Sequence, residues 1–311
     1  MTFLEFLIEN NDKKIFVDPC SGNNGDILIW YGMQEVLRKA EVVLVEDANL
    51  AELIVINGGG MFIDAYGQGI DKIKTYSTLY PSVPLCIAPN SFHFKVIDFG
   101  AVLDIRQSSL HLFSRESYSK KYIDKLVENR SLITSYLDDD LAFHLIGSDR
   151  IKAMLAASPD AKKGNVLVVD RMDVEHSSEG GEQSLIKSIY ISIVPEVLKK
   201  QLRSLRVIRR NKYGTAFTQR ARSLLLKNNP KYEIESIETS DISRPDVCSF
   251  DEFMQKILDA EYIFTNRLHV GVLGYLLGRN VYMAEGSYHK MRGIYEKSMA
   301  SSPIVNLMPE E

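Results

Sequence analysis

Short β-rich runs alternate with helix-period segments along nearly the whole chain, and this rhythm limits the fold more than any other feature. Ile15 to Val17 reads as a strand, followed by a Gly/Asn loop and a helix from Asp26 to about Lys39. Val42 to Val45 and Leu53 to Ile56 read as strands, and Val83 to Ala88 as another, closed by Pro89. Ser109 to Phe113 leads through Ser114-Arg115-Glu116 into a helix, and Ser131 to Tyr136 reads as one more strand. This is the pattern of a parallel sheet with crossover helices. The polar stretch from Ala156 to Asn165, with Pro, Gly and charge, reads as an interdomain linker. Val166 to Val169 then opens a second strand–loop–helix series. In it Phe250 to Leu258 and Val270 to Leu277 read as helices, Tyr262 to Phe264 and Val281 to Met283 as strands, and Tyr288 to Lys297 as a helical tail. The expectation is an α/β chain of two Rossmann-like domains facing across a cleft. They would be residues 1–157 and 165–285, with a tail of residues 286–311 packing back on the first domain. A length of 311 residues agrees with two domains.

Composition narrows the class. With 45% hydrophobic and 25% charged residues, the chain is an ordinary soluble globular sequence. The formal net charge, 37 − 41 = −4, speaks against a nucleic-acid binder. Cys20, Cys86 and Cys248 are too scattered for a disulfide framework and read as reduced core thiols. The histidines, His93, His111, His144, His176, His269 and His289, show no metal-ligand spacing, so no metal and no cofactor is expected. The N-terminus lacks the basic and apolar regions of a secretory signal, and no window is apolar enough to span a bilayer. A cytoplasmic protein is the default. From Lys199 to Arg222 there are nine basic residues and no acidic ones. Lys199, Arg203, Arg206 and Arg210 share a helical face, with Leu198, Leu202 and Leu205 on another. Such faces are usually solvated; this one would also suit peripheral contact with anionic lipid or a diphosphate-linked acceptor.

Chemistry concentrates where strands end. Thr265-Asn266-Arg267-Leu268-His269 follows the run Ala260 to Phe264 and precedes the apolar helix. Free N–H groups at a helix start attract anions, and open α/β sheets bind ligands beyond their strands' carboxyl ends. Arg267 offers a permanent charge and His269 a proton that exchanges near neutral pH. Gly22-Asn23-Asn24-Gly25-Asp26 joins a strand to a helix; alone it reads as a tight turn with Asp26 as a helix cap. Gly58-Gly59-Gly60 ends another strand, which permits either an exposed backbone nest or simply close packing of backbone at a sheet edge, with Asp64 at the same sheet end. Arg171 closes the first strand of the second series, where a salt-bridged loop arginine is the plainer reading.

Taken in order, these segments resemble the polysaccharide pyruvyl transferase family. The family's GNxGD-type loop is matched by Gly22 to Asp26, its GGG-x-x-x-D loop by Gly58 to Asp64, and a PQS-like strand end by Pro89-Asn90-Ser91. An S-R-E-x-x-S helix is matched by Ser114 to Ser119, a D-x-A-F segment by Asp140 to Phe143, and an R-x-D-x-E strand end by Arg171 to Glu175. The TxRLH motif is Thr265 to His269, and a final Y-x-K is Tyr288 to Lys290. Eight ordered pieces cover some 270 residues. Asn90 stands where the family usually has glutamine, and Val270 where glycine is common. The resemblance implies a GT-B-like fold, phosphoenolpyruvate as donor substrate, and a cyclic pyruvate ketal on a sugar of a cell-surface polysaccharide as product. It implies donor binding by Arg171, Arg267, Leu268, His269, Asp64 and Arg115, with Lys290 of the final motif beside them. The chemistry of the residues themselves adds His269 as acid/base, Arg267 as anion clamp and Asp26 toward acceptor hydroxyls, with the glycine loops contributing backbone. The acceptor would be a saccharide, free or lipid-linked, held by the first domain, and closure about the linker would exclude water. Two other readings stand beside this one: a GT-B glycosyltransferase using a nucleotide sugar, and a non-catalytic partner in a polysaccharide assembly complex. Nothing recognisable lies between His176 and Asp241.

Overall fold

Two parallel sheets, each in a helical coat, form the framework of the protein, seen in a computed structural model that describes residues 1–19, 22–158, 160–171, 215–286 and 288–309. The first half runs α1 (Phe3–Ile8), β1 (Lys14–Asp18), α2 (Asn24–Ala40), β2 (Val43–Val45), β3 (Leu53–Ile56) and β4 (Gly59–Ile63). It continues α3 (Gln68–Leu79), β5 (Leu85–His93), α4 (Phe99–Leu103), β6 (Leu110–Ser114), α5 (Ser117–Val127) and β7 (Ile133–Leu137). A 3₁₀ turn at Leu141–Leu145 and α6 (Asp149–Ala157) lead out of it. The second half holds β8 (Asn165–Val169), α7 (Ala216–Asn228), β9 (Ser236–Thr239), α8 (Phe250–Asp259) and β10 (Tyr262–Thr265). It ends with α9 (Leu268–Leu276), β11 (Asn280–Met283), α10 (Lys290–Ile294) and β12 (Val305–Leu307).

The first sheet has the order β2-β1-β3-β5-β6-β7 with β4 added along β5, and the second the order β12-β11-β10-β8-β9. All pairings are parallel, so the strands' carboxyl ends lie together on one edge of each sheet. Central strands such as β3 are buried along their whole length, as expected where helices cover both faces. This is the α/β architecture of two Rossmann-like halves that the strand rhythm implies.

Several elements depart from the sequence reading. Strand β5 does not stop at Pro89 but runs to His93. The register of β5 against β6 shifts between Ile87 and Asn90, and β5 exchanges β3 for β4 as partner there, so the missing proline N–H falls at an irregularity. The glycine run does not form an open nest: Gly59 pairs with Asn90 and starts β4. Ala156 and Ala157 belong to α6, not to a linker. The tail is helical from Lys290 to Met299, but its last described element, Val305–Leu307, is an edge strand of the second sheet.

The halves share a core. Leu28, Ala142, Phe143, Leu145 and Ile151 of the first pack in one cluster with Phe253, Ile257, Leu268 and Val270 of the second. Rigid-body opening about residues 157–165 would expose that seam to water. The tail crosses the other way: Lys297 Nζ reaches Asp139 at 2.6 Å, and Tyr118 Oη meets Glu296 at 3.3 Å. No described helix is long and apolar enough to cross a membrane. Most of the basic stretch, including Lys199, Arg203, Arg206 and Arg210, lies outside the described residues, while Arg220 and Arg222 sit on α7. Cys86 and Cys248 are buried free thiols; Cys20 lies outside the described residues.

Candidate functional site

The carboxyl ends of both sheets meet at a cavity of about 250 Å³. Its walls include Gly22, Asn23 and Asp26 after β1, Gly58 to Gly60 after β3, Arg115 after β6, Arg171 after β8, Arg267 to His269 after β10, and Lys290 after β11. Among the described residues of the wall, four side chains are cationic and Asp26 is the one acid. A protein of net charge −4 thus gathers positive charge in one place, which selects a compact anion.

On the second-half wall, Asn266 sets the geometry. Its Oδ1 accepts the Arg171 backbone N–H at 2.5 Å, and its Nδ2 donates to Asp170 Oδ1 at 3.0 Å, so the ends of β8 and β10 are locked together. The Arg171 side chain then reaches Tyr66 Oη of the first half at 3.3 Å. Arg267 is the N-cap of α9 and is buried. Its guanidinium grips Asp241 as a fork, Nε to Oδ1 at 3.0 Å and Nη2 to Oδ2 at 2.6 Å. Arg267, an anion clamp by its sequence position, thus also commits two of its five donors to a buried carboxylate. Leu268 begins α9, a helix apolar nearly throughout, whose first turn lines the cavity at Leu268 and His269.

On the first-half wall, Arg115 is 1% exposed. Its Nε donates to Ser91 Oγ at 2.9 Å and its Nη1 to Asp140 Oδ2 at 2.5 Å. Arg115 therefore serves a buried network as well as the wall, which the resemblance did not imply. A Cβ on Gly60 would lie 3.2 Å from Arg115 Nη2, so the absence of a side chain there leaves that nitrogen room at the cavity. Asp140 is fully buried and its Oδ2 also lies 3.4 Å from His269 Nε2. Burial pushes the Asp140 carboxyl up, but the charges of Arg115 and His269 outweigh it and hold the group well below the ordinary carboxylate range. Gly25 lies beside the other ring nitrogen: a Cβ there would stand 2.7 Å from His269 Nδ1, so the absence of a side chain leaves Nδ1 room.

The loop before α2 is a capping box. Asn23, not Asp26, is the N-cap; its Oδ1 accepts the Gly25 N–H at 2.7 Å, while Asp26 Oδ2 accepts the Asn23 N–H at 2.7 Å. Asp26 thus does both things, capping its helix and facing the cavity. Asn24 turns away and is buried, donating from Nδ2 to the carbonyls of Ile242 and Cys248, both at 2.9 Å, across the seam. Asp64 is not part of the cavity wall. Its carboxylate accepts the backbone N–H groups of Lys95, Val96 and Ile97, which organises the loop after β5. Lys290 lies with its Nζ 5.1 Å from the Tyr288 ring centroid.

Sequence reading does not single out Tyr66, Gln68 or Ser243 in the wall, nor Asp241 behind it. The D-x-A-F match marked Asp140 without giving it a role; the other residues carry no local signature. What the arrangement can do is bind a small polyanion between arginines and offer it one imidazole.

Comparison with known proteins agrees. The crystal structure of a functionally uncharacterized protein from Klebsiella pneumoniae subsp. pneumoniae superposes with a TM-score of 0.62 at 17% identity, covering 100% of both chains, and so shares the fold. A UDP-GlcNAc 2-epimerase from Methanocaldococcus jannaschii, at TM-score 0.39 and 11% identity over 94% of this chain and 74% of that one, is too distant to carry an argument. Comparison with curated proteins returns no significant match. The model of the polysaccharide pyruvyl transferase family matches residues 23–285, a stretch that takes in the capping box, the glycine run, Arg115, Asp140, Arg171 and the Arg267–His269 segment, and the chain belongs to that family.

Proposed function

We propose that the protein transfers the pyruvyl group of phosphoenolpyruvate to two hydroxyls of one sugar as a cyclic ketal, in the cytoplasmic steps of cell-surface polysaccharide synthesis. The observation that carries this is the convergence of Arg115, Arg171, Arg267, Lys290 and His269 on one small cavity in a chain of this family. Phosphoenolpyruvate carries a phosphate and a carboxylate on three carbons, and guanidinium forks match both. The cavity, at about 250 Å³, lies below the roughly 300–1,000 Å³ of sites for larger ligands, which favours a compact donor over a nucleotide sugar.

The donor lies toward the second half, against Arg171, Arg267 and the first turn of α9. The acceptor sugar lies toward Asp26, whose carboxylate can hydrogen-bond hydroxyls. His269 moves the proton that the enol C3 gains as a sugar hydroxyl adds to C2. A second hydroxyl of the same sugar then displaces phosphate. Asp64 has no part in this scheme, because its carboxylate holds the 95–97 backbone.

Thermal-shift titration tests the donor. Phosphoenolpyruvate at a hundred times its dissociation constant should stabilise the protein by about 2.7 kcal/mol. Release of inorganic phosphate should then depend on both phosphoenolpyruvate and an oligosaccharide acceptor. Stabilisation by a nucleotide sugar, with none by phosphoenolpyruvate in the presence or absence of acceptor, would instead make the protein a glycosyltransferase.

A further inference from the structure

Donor binding alone does not account for the line of groups behind the cavity. Asp140 is 0% exposed, yet it does not simply close an ion pair: one oxygen, Oδ2, stands 2.5 Å from Arg115 Nη1 and 3.4 Å from His269 Nε2, on opposite halves of the molecule. Its other oxygen accepts the Ala142 backbone N–H at 2.9 Å, which fixes the carboxyl plane. Arg115 is held in turn by Ser91, so the acid cannot follow a moving imidazole. Beside Arg115, Asp140 is a carboxylate and only accepts hydrogen bonds. Nε2 of His269 must then be the nitrogen that carries hydrogen. Nδ1 lies on the Gly25 side of the ring, where any side chain on residue 25 would strike it.

Resting on the pyruvyl transfer reading, we propose that Asp140 is a positioning residue that fixes His269 as its Nε2–H tautomer and leaves Nδ1 as the nitrogen that handles the substrate proton. In the first step Nδ1 takes the proton of the attacking hydroxyl and delivers it to C3. The hydroxyl oxygen bonds to C2, and the enol π pair becomes the new C3–H bond. In the second step the other hydroxyl bonds to C2 while the bond from C2 to the phosphate oxygen breaks with its electron pair. Its proton passes through Nδ1 to the departing phosphate. The sum is phosphoenolpyruvate plus diol giving ketal plus inorganic phosphate, with no change of oxidation state overall. While Nδ1 holds the proton the ring is a cation, and Asp140 compensates it from behind.

The test uses full-length protein labelled with ¹⁵N in histidine. Long-range ¹⁵N–¹H spectra separate the two tautomers, and the His269→Gln variant identifies the signals to follow. The expected result is Nε2–H for neutral His269 in the wild type, and loss of that preference in Asp140→Asn. In the same variant kcat should fall by about 10²–10⁴-fold, as when an orienting aspartate is made an amide in a nucleophile–histidine triad. KM for phosphoenolpyruvate should stay within about threefold, because the lost interaction acts in the transition state. A wild-type His269 found as Nδ1–H, or an Asp140→Asn variant with undiminished kcat, would overturn the proposal. If Asp140→Asn does not fold, the wild-type spectrum alone decides the tautomer. If the wild type turns over no phosphoenolpyruvate under any acceptor, the donor reading fails, and the spectra still report whether Asp140 sets the ring.

Discussion

Each half of the molecule holds a buried arginine just past a strand, and each arginine is pinned by a buried aspartate, but the two pairs are built differently. Arg267 and Asp241 meet as a fork through Nε and Nη2, so both oxygens of Asp241 are engaged by one guanidinium. Arg115 meets Asp140 through Nη1 alone, and the same Asp140 oxygen looks across the seam at His269. A fork fixes a shape; a shared oxygen couples a charge to a titrating ring. The second-half pair therefore reads as the rigid floor of the donor site, and the first-half pair as the support of its proton chemistry. Variants that split turnover from stability test this contrast.

The largest effect belongs to the ring itself. His269→Ala should lower kcat by about 10²–10⁴-fold and leave KM for phosphoenolpyruvate nearly unchanged, in steady-state phosphate release. If KM rises by the same factor, His269 is a phosphate ligand and its coupling to Asp140 is only structural.

Arg267→Ala comes next and should fail in another way. It leaves Asp241 buried and unpaired, at a cost of about 3–5 kcal/mol in unfolding free energy by denaturant titration. Donor binding should weaken as well. The double variant Arg267→Met with Asp241→Leu should recover much of the stability and none of the donor binding. A single variant as stable as wild type would end the distinction between floor and support.

The contrast explains what could be read from sequence. Arg267 and His269 were legible because an apolar strand, a polar turn and an apolar helix are consecutive in the chain, so their position follows from periodicity alone. Their partners were not. Residues 138 to 140 are three successive aspartates with three destinations: Asp138 accepts the Phe3 N–H at 2.6 Å, Asp139 takes Lys297, and Asp140 takes Arg115. Local sequence gives no means of sorting them, since the choice is made by elements up to 159 residues away. Asp241 is hidden for the same reason, 26 residues before its arginine. The glycine run leaves two readings open in sequence, an exposed nest and close backbone packing at a sheet edge, because both have the same local composition and only pairing with Asn90 decides.

A smaller effect should come from the seam. Asn24→Ala removes two donors to buried carbonyls of the other half and should cost about 1–3 kcal/mol, read as a lower Tm. The loss should appear as one cooperative transition, because the halves share an apolar core. Two separated transitions in calorimetry would show that the seam does not couple them, and would restore closure about residues 157–165 as part of the working cycle.

The smallest effect is expected at Asp64, and it carries a pH signature. Asparagine keeps one acceptor oxygen for the three amides of residues 95–97, so Asp64→Asn should cost at most about 1 kcal/mol at neutral pH and leave donor KM unchanged. Burial pushes the Asp64 carboxyl up, but the hydrogen bonds from Lys95, Ile97 and Val96 outweigh it and lower the group from its ordinary 3.8. A carboxyl lowered on folding stabilises fully above its unfolded value and loses that contribution as pH falls through the folded one. The Tm gap between wild type and Asp64→Asn should therefore be constant from neutral pH down to the ordinary aspartate range and shrink below it. A gap that widened in acid would reverse the sign and disprove the amide clamp. A marked rise in donor KM would put Asp64 back in the cavity, where its hold on the loop after β5 now keeps it from reaching.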